Sequence, residues 1–208
     1  MIYNGDCLEI MPTLADKSID MILCDLPYGT TACKWDTIIP FEPLWKQYKR
    51  LIRDNGAIVL TASQPFTSAL VMSNVSDYKY QWTWVKTRNS NPFLAKRQPL
   101  RVTEDVLVFG GARVSYFPQM TVGTAYRINR FSGGRIAADD RANRSGFETS
   151  EPIDHRYPTN VINIANKNVE AGLHPTQKPV ALFEYLIRTY TNEGDTVLDN
   201  CAGSFTTA

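Results

Sequence analysis

The chain of 208 residues carries 22 Lys and Arg against 21 Asp and Glu, so its formal net charge is +1. Its composition is 43% hydrophobic and 21% charged, which excludes wholesale disorder and suits one substantial domain or one domain with a large insertion. A net charge this close to zero neither requires nor excludes a nucleic-acid partner, so the distribution of charge along the chain matters more.

The four cysteines Cys7, Cys24, Cys33 and Cys201 contain no C-x-x-C pair, which argues against a zinc site, and we predict no metal. A reduced, buried thiol suits Cys24 within its apolar run and favours the cytoplasm. The first ten residues lack a basic segment followed by an apolar core, so no secretory signal is expected. No apolar run approaches the ~18 residues that a transmembrane helix needs, so no membrane partner is predicted.

Strand-like and helix-like segments alternate along residues 18–110, which predicts an α/β layer with a largely parallel sheet. Apolar or alternating runs predict strands, whereas apolar residues at helical spacing predict helices. The predicted strands are residues 18–24, 56–63, 80–87 and 104–110, and the predicted helices are residues 41–55 and 65–74.

The stretch Lys86–Arg101 is basic and contains no acidic residue. Its basic residues are Lys86, Arg88, Lys96, Arg97 and Arg101. A solvated basic face and a surface for phosphates both agree with this pattern.

The periodic hydrophobic pattern stops between Gly111 and Gly172, where glycines, arginines and aromatic residues follow no firm period. We expect an insertion or a small irregular subdomain here, rather than more sheet. Regular patterns resume at residues 178–190, which predict an amphipathic helix, and at residues 196–208, which predict a strand and a loop of small residues. The predicted organisation is therefore 1–110, an insertion at 111–172, and 173–208.

The segment Asp25-Leu26-Pro27-Tyr28 follows directly on the predicted strand 18–24. Pro27 has a fixed φ and pushes Leu26 into an extended conformation, so the Leu26 carbonyl is aimed in a defined direction beside Asp25. Two adjacent acceptors suit an –NH2 group, and Tyr28 adds a flat face on which a planar ring can stack. Taken alone, the segment is more simply an ordinary exit from a strand.

Two segments near the end of the chain contain polar and small residues beside regular elements. LHPTQKP, residues 173–179, precedes a predicted helix, and alone it reads as a capped helix start with Thr176 as the cap. VLDNCAGSFTT, residues 197–207, is a strand that ends in an acidic residue followed by small residues and hydroxyls. Such a turn lets backbone N–H groups approach a ligand closely, although alone it is equally a tight turn.

Taken together, the three segments resemble the amino-group (N6-adenine/N4-cytosine) DNA methyltransferases. Asp25-Leu26-Pro27-Tyr28 resembles the catalytic D-P-P-Y motif, and the two later segments resemble the cofactor motifs, in the permuted, β-type order. The resemblance implies an α/β fold: a Rossmann-like class I methyltransferase sheet, mostly parallel, with an irregular insertion and a C-terminal end shorter than the family's.

The resemblance also implies roles for particular residues. Asp25, the Leu26 carbonyl and Tyr28 would hold the target base, with Pro27 shaping the loop. The residues implied at the S-adenosylmethionine site are Asp6, Cys7, His174, Thr176, Gln177, Lys178, Asp199, Ala202, Gly203, Ser204 and Thr206. Asp6 would accept from the adenine of the cofactor, although an Asp before CLEIMPTL is equally a helix cap.

Two positions depart from the family pattern. Leu26 stands where proline is usual, which is tolerable because that position contributes a backbone carbonyl. Phe205 stands where the family loop has its second glycine. A side chain there predicts either a ring in the space of the cofactor or a strained backbone.

The resemblance implies methyl transfer from S-adenosylmethionine to a base swung out of double-stranded DNA, in the manner of restriction–modification enzymes. Asp25 at the first motif position favours adenine N6 over cytosine N4, where serine is commoner in the family. The insertion 111–172 is the candidate target recognition region, because its arginines suit guanine edges and phosphates.

Other interpretations stay open. The family would continue beyond Ala208 through a helix and a further strand, so a truncated, inactive chain that still binds DNA is the main alternative. Cytosine N4 is a second, and methylation of a protein glutamine or of RNA is a third that suits the permuted order and the basic insertion less well. The oligomeric state is open, with a homodimer compatible, and nothing indicates whether a restriction endonuclease partner exists.

Overall fold

The computed structural model of the chain describes residues 1–31, 33–126, 129–131, 147–149, 153–166, 177–203 and 205–207. The chain forms two compact units, one of Met1–Phe117 with Thr159–Ala208 and one of Pro118–Pro158. The second unit falls within the range predicted as an insertion and is shorter at both ends.

Helices and strands alternate in the larger unit. The helices are α1 (Cys7–Ile10), α2 (Phe41–Leu51), α3 (Phe66–Ser73) and α4 (Val180–Tyr190), and single 3-10 turns cover Met11–Thr13 and Pro92–Leu94. The strands are β1 (Ile19–Cys24), β2 (Ile52–Ala62), β3 (Tyr78–Val85), β4 (Thr103–Gly110), β5 (Thr121–Tyr126), β6 (Asn129–Phe131), β7 (Phe147–Thr149), β8 (Ile153–Arg156), β9 (Val161–Asn163) and β10 (Val197–Leu198). The smaller unit contains the strands β5 to β8.

The central sheet has the strand order β10-β1-β2-β4-β3-β9. The pairs β10–β1, β1–β2 and β3–β9 are parallel, whereas β4 runs antiparallel to both of its neighbours. The sheet is thus mixed and mostly parallel, as the sequence predicted. The parallel strands β1 and β2 are connected through helix α2.

Apolar layers cover both faces of this sheet. In β1, Ile22 and Cys24 face the layer that contains α2 and α3, whereas Met21 and Leu23 face the layer that contains α4. All four side chains are fully buried. A strand buried on both faces reads as a continuous apolar run, which is why β1 was recognisable in the sequence.

Two predicted boundaries were wrong. The helix expected to extend to the residue before Gly56 ends at Leu51, because Ile52 already pairs with Ile19 in the β1–β2 ladder. A strand of the main sheet, β9, lies inside the range where no further sheet was expected, and its Ile162 is buried against β3. Three residues are too short a run to display a strand period.

The smaller unit contains two antiparallel pairs, β5–β8 and β6–β7. Its Arg156 guanidinium lies 3.9 Å from the centroid of the Tyr126 ring and donates to the carbonyl of Thr124. These contacts join the two ends of the unit's longest strand pair through a cation–π interaction.

Because of the directions of the strands, several loops lie at the same edge of the central sheet. Because β10, β1 and β2 are parallel, Asp199, Asp25 and Ser63 follow their carboxyl ends at the same edge. The antiparallel β4 begins at this edge, since Asp105 pairs with Ala62, and β3 ends there, since Val85 pairs with Thr103. In open α/β sheets, the edge beyond the carboxyl ends of the parallel strands is where ligands bind.

Candidate active site at the carboxyl edge of the sheet

Asp25 leaves the buried strand β1 and is held by three side chains. Its Oδ1 accepts from the hydroxyl of Tyr28 at 2.7 Å and from the hydroxyl of Thr61 in β2. Lys178 Nζ lies 2.8 Å from Oδ1 and 2.9 Å from Oδ2 of the same carboxylate. Asp25 therefore has a fixed orientation, with most of its interactions directed at one oxygen.

Leu26 and Tyr28 are placed by the core beneath them. The Leu26 side chain is 3% exposed and belongs to the apolar cluster on the α2 side, so its side chain is directed away from solvent. The Tyr28 ring stacks on Phe66 at the start of α3, with centroids 5.2 Å apart. Burial raises the pKa of Tyr28 well above its usual range, which keeps the phenol protonated as a donor to Asp25.

Lys178 connects Asp25 to a second carboxylate at the start of β4. Its Nζ lies 3.4 Å from Glu104 Oε2, and Lys86 Nζ lies 2.6 Å from Glu104 Oε1. Lys86 is 4% exposed and Lys178 is 11% exposed at the side chain. The four groups form a buried row of alternating charge from Lys86 to Asp25.

The charges in this row stabilise one another. Burial by itself lowers the pKa of Lys178, but the facing carboxylates of Asp25 and Glu104 outweigh it and raise the pKa well above that of an ordinary lysine. Lys178 is therefore a permanent cation at physiological pH. A buried charge without such a partner is strongly unfavourable, so the row holds the end of the chain against β1 and β4.

The loop after Tyr28 is organised by Asp36, which the sequence analysis missed. The two oxygens of this buried carboxylate accept from the backbone N–H groups of Gly29 at 2.8 Å, Thr30 at 2.9 Å and Thr31 at 2.7 Å. Burial alone would raise the pKa of Asp36, but hydrogen bonds from Thr31 and these N–H groups lower it below its usual value. A carboxylate that holds three consecutive N–H groups shapes a loop, and no local motif announces that role.

Gly29 begins this loop in a conformation that favours glycine. Its φ is +66°, and a Cβ there would lie 2.9 Å from Ile38 Cγ1. The glycine thus allows the chain to turn sharply after Tyr28 while it packs against Ile38.

Asp199 follows β10 at the same sheet edge. Its oxygens accept from the backbone N–H of Cys201 at 2.9 Å and from the Thr207 hydroxyl at 2.5 Å. Burial outweighs these hydrogen bonds and raises the pKa of Asp199. Among the residues that the structure describes, no Lys or Arg forms an ion pair with it, so the carboxylate is suited to a cationic ligand.

The turn after Asp199 contains the small residues predicted at the cofactor site. Gly203 has φ +51°, and Phe205 has φ +58° while its N–H donates to the carbonyl of Ala202 at 2.7 Å. The left-handed conformation at Phe205 is one of the two outcomes that the sequence predicted for a side chain at a family glycine. Thr206 follows in the same turn.

The other predicted cofactor residues have different surroundings. Asp6 caps α1 through a hydrogen bond from Leu8 N–H at 2.8 Å, and Cys7 packs against the same apolar cluster as Cys201. Gln177 is half-buried beside Lys178, which the structure places on Asp25. The predicted residues His174, Thr176 and Ser204 lie outside the described residues, as does much of the 111–172 range.

The described part of the chain shows neither a metal site nor a membrane-spanning helix. There, no group of three or more His, Cys, Asp or Glu side chains is placed to hold a metal ion. Within the same residues, no helix has the length and apolar character needed to cross a membrane.

Comparison with known proteins identifies the family. A profile described as DNA methylase, N6_N4_Mtase, matches residues 19–208 of the chain. The chain belongs to this DNA methylase family. The membership predicted from Asp25-Leu26-Pro27-Tyr28 and the two later motifs is thereby confirmed.

Individual DNA methylases resemble the whole chain. The DNA adenine methyltransferase YhdJ of Escherichia coli (strain K12) is 29% identical over 224 residues, which cover 99% of this chain and 72% of YhdJ. The type II methyltransferase M1.MboII of Moraxella bovis is 26% identical over 226 residues, which cover 100% of this chain and 85% of M1.MboII.

Solved DNA methylase structures share the fold. The M1.HpyAVI–SAM complex superimposes with a TM-score of 0.64 at 24% identity, covering 100% of this chain and 84% of that one. The cytosine-N4-specific PvuII DNA methyltransferase gives a TM-score of 0.64 at 16% identity, covering 99% of this chain and 75% of that one. The predicted Rossmann-like sheet is confirmed.

Replacing Lys178 by Met should destabilise the protein by about 3–5 kcal/mol, because Asp25 and Glu104 lose the cation between them. The pKa of Lys178 is raised in the folded chain, so its contribution is fully present below 10.5 and is lost only as the pH rises through the higher folded value. Thermal unfolding should therefore show a constant gap between wild type and Lys178→Met from pH 7 to 10. A gap that narrows within that interval would contradict the pairing.

Lys49→Met is the matched control, because Lys49 forms a half-exposed ion pair with Asp77. Its removal should cost about 1 kcal/mol or less. Lys178→Arg keeps the charge and should retain more stability than Lys178→Met.

Replacing Asp36 by Asn should destabilise the protein by about 1–3 kcal/mol. The amide of Asn has one oxygen where the carboxylate has two, so it cannot accept from all three N–H groups. The folded pKa of Asp36 is lowered, so this stabilisation is present above 3.8 and is lost as the pH falls through the folded value. Denaturant unfolding should give a gap that is full near neutral pH and shrinks below pH 3.8. Asp54→Asn, which removes an exposed partner of Lys17, should leave stability unchanged, and an equal loss in both variants would sink the assignment.

Proposed function

We propose that the chain transfers a methyl group from S-adenosylmethionine to the N6 atom of a flipped-out adenine in double-stranded DNA. The observation that carries this proposal is the Asp25 carboxylate, oriented by Tyr28, Thr61 and Lys178 at the sheet edge where ligands bind. It lies within a chain that belongs to the DNA methylase family.

The amino nitrogen of adenine is a poor nucleophile, because its lone pair is delocalised into the ring. Asp25 and the Leu26 carbonyl would each accept one amino hydrogen, which favours a pyramidal nitrogen with a directed lone pair. Oδ2 of Asp25 carries one of the observed contacts and Oδ1 carries three, so Oδ2 has the greater remaining capacity to accept. Catalysis by these groups is mostly positioning and electrostatic stabilisation.

The hydrogen bonds that fix Asp25 also matter after methyl transfer, when a positive charge has formed beside its carboxylate. Methyl transfer makes the amino nitrogen cationic and acidic, so its proton leaves after transfer, while the fixed Asp25 anion stabilises the positive charge. Tyr28, supported by Phe66, would stack on the extrahelical base and replace the stacking that the base gives up on leaving the duplex.

The described residues fit S-adenosylmethionine at the β10 edge. Asp199 is half-buried, its pKa is raised, and it would receive the ammonium group of the methionine part. Ala202, Gly203 and Thr206 in the following turn would line the same end of the site. When bound there, the cofactor supplies an electrophilic methyl group.

Adenine is proposed over cytosine because Asp25 stands at the first motif position. The relative YhdJ is named a DNA adenine methyltransferase, which supports the same choice. The likeness to the cytosine-N4-specific PvuII enzyme, at 16% identity, reflects the fold. We also propose that the range 111–172, with its arginines, contributes to target recognition.

Asp199→Asn should lower the affinity for S-adenosylmethionine at least tenfold in calorimetry, because the ligand ammonium loses its anion. It should also remove a pH dependence of stability. The pKa of Asp199 is raised on folding, so the ionised carboxylate lowers the stability of wild type as the pH rises above 3.8 through the folded value. The difference in melting temperature between Asp199→Asn and wild type should thus shift in favour of the variant over that pH interval and stay constant below 3.8.

The control for this pair of measurements is Glu193→Gln on the exposed turn before β10. Neither affinity nor melting temperature should change in that variant. Unchanged affinity in Asp199→Asn would contradict the placement of the ammonium group.

The proposed reaction is tested with radiolabelled S-adenosylmethionine and unmethylated genomic DNA, followed by chromatography of the nucleosides. Label in N6-methyl-2′-deoxyadenosine is expected from wild type, with at least a hundredfold loss in Asp25→Asn, which keeps the shape and removes the charge. Label in N4-methyl-2′-deoxycytidine would overturn the choice of base. DNA binding without cofactor binding or label would favour the inactive alternative.

A further inference from the structure

The loop of residues 86–102 joins β3 to β4 at the carboxyl edge of the sheet, and the proposed chemistry does not use it. Its exposed cations are Arg88, Lys96, Arg97 and Arg101, and no acidic residue occurs between 86 and 101. We call residues 88–101 the basic loop. Lys86, just before it, is buried and paired with Glu104.

The neck of the basic loop is closed by hydrogen bonds within it. Asn91 Oδ1 accepts from the N–H of Arg101 at 2.6 Å, and Asn91 Nδ2 donates to the carbonyl of Pro99 at 3.1 Å. Ser90 N–H donates to the carbonyl of Arg101 at 3.0 Å. The loop therefore has a defined shape before any partner binds, which reduces the entropy cost of association.

Asn166, which follows β9, holds the first residues of the loop by hydrogen bonds. Its Oδ1 accepts from the Thr87 hydroxyl at 3.0 Å and from the N–H of Arg88 at 2.9 Å, and its Nδ2 donates to the carbonyl of Arg88 at 3.2 Å. Asn166 follows β9, so the loop is anchored to the outermost strand of the sheet.

Phe93 lies at the tip of this framework. It sits in the 3-10 turn Pro92–Leu94 and is 99% exposed, next to the partly exposed Leu94 and Leu100. A fully exposed aromatic ring does not contribute the stabilisation that its burial would give. A structured loop that presents such a ring among cations is typical of a contact surface.

The same loop is connected to the catalytic residues. Arg101 Nη1 donates to Ser63 Oγ at 2.9 Å, and Ser63 lies two residues after Thr61, which donates to Asp25. At the other end, Lys86 reaches Asp25 through Glu104 and Lys178. Both ends of the loop therefore adjoin the site where the base would be held.

We propose that the basic loop binds the DNA duplex beside the target base, with Phe93 inserted into the base stack and its cations on the flanking phosphates. This proposal rests on the proposed function. Removing a base from the stack leaves a gap, and apolar side chains that enter such gaps are a known means of distorting a duplex. Cations on both sides of the ring would bind phosphates of either strand and fix the register of the ring.

The insertion of Phe93 is tested with two fluorescein-labelled duplexes of the same random sequence, one of which contains an abasic site. Wild type should bind the abasic duplex more tightly, because the gap there is already open. In Phe93→Ala, affinity for the intact duplex should fall about fivefold or more, and the preference for the abasic duplex should disappear. Phe93→Trp should retain both properties.

Met72→Ala is the control for removal of an exposed apolar side chain, since Met72 is 73% exposed near the end of α3. It should bind both duplexes like wild type. If Phe93→Ala and Met72→Ala behave alike, the insertion of Phe93 is wrong.

The binding of phosphates is tested by the salt dependence of duplex affinity. Lys96→Ala/Arg97→Ala should reduce the slope of log K against log salt by about 0.9 for each phosphate that the variant no longer neutralises. Lys17→Ala/Arg53→Ala removes the same charge at residues next to β1 and β2 and should keep the wild-type slope. Equal slopes in the two double variants would overturn the binding of phosphates by the loop.

These outcomes separate the loop from the reaction. Methylation of DNA by wild type together with wild-type DNA binding by Phe93→Ala would overturn the loop proposal and leave the proposed function standing. Weakened duplex binding by Phe93→Ala in a chain that transfers no label would support the loop and overturn the proposed function.

Discussion

The Lys178 ammonium between Asp25 and Glu104 is the interaction on which the arrangement of the site depends. It joins carboxylates on β1 and β4 to a residue 153 positions further along the chain than Asp25. A buried carboxylate needs a compensating cation, and here two carboxylates share one while Lys86 balances the second. The pair Asp25–Lys178 therefore holds the segment before α4 against the loop that follows β1.

The topology of the sheet explains why these groups meet. Parallel strands place Asp25 and Asp199 after their carboxyl ends at one edge, and the antiparallel β4 brings Glu104 to that edge at its own beginning. The β3–β4 connection then necessarily lies at the same edge, which puts the ends of the basic loop beside the candidate catalytic residues. One reversal of strand direction thus supplies both the second carboxylate and the candidate DNA contact.

The two departures from the family pattern have different structural consequences. Leu26 buries its side chain in the core, and the proposed contact with the base uses only its backbone carbonyl. Leucine in place of the usual proline is therefore compatible with that contact. Phe205 adopts φ +58°, a conformation that disfavours a side chain and that glycine would adopt readily. The strain at Phe205 lies in the turn that follows Asp199, whose half-buried carboxylate is suited to a cationic ligand.

The alternating elements, the mostly parallel sheet and the family could be predicted from the sequence, because continuous apolar runs and short motifs are local signals. The positions of Asp25 and Asp199 at one sheet edge could also be predicted, because both directly follow such runs; their roles stay predictions. The roles of Glu104, Thr61, Asp36 and the short strand β9 were decided only by tertiary structure. A carboxylate that is paired across strands, or that gathers N–H groups from another part of its loop, has the same local pattern as a solvated one. Lys178 shows the difference most clearly, since its motif predicted the cofactor site and the fold placed its charge on Asp25.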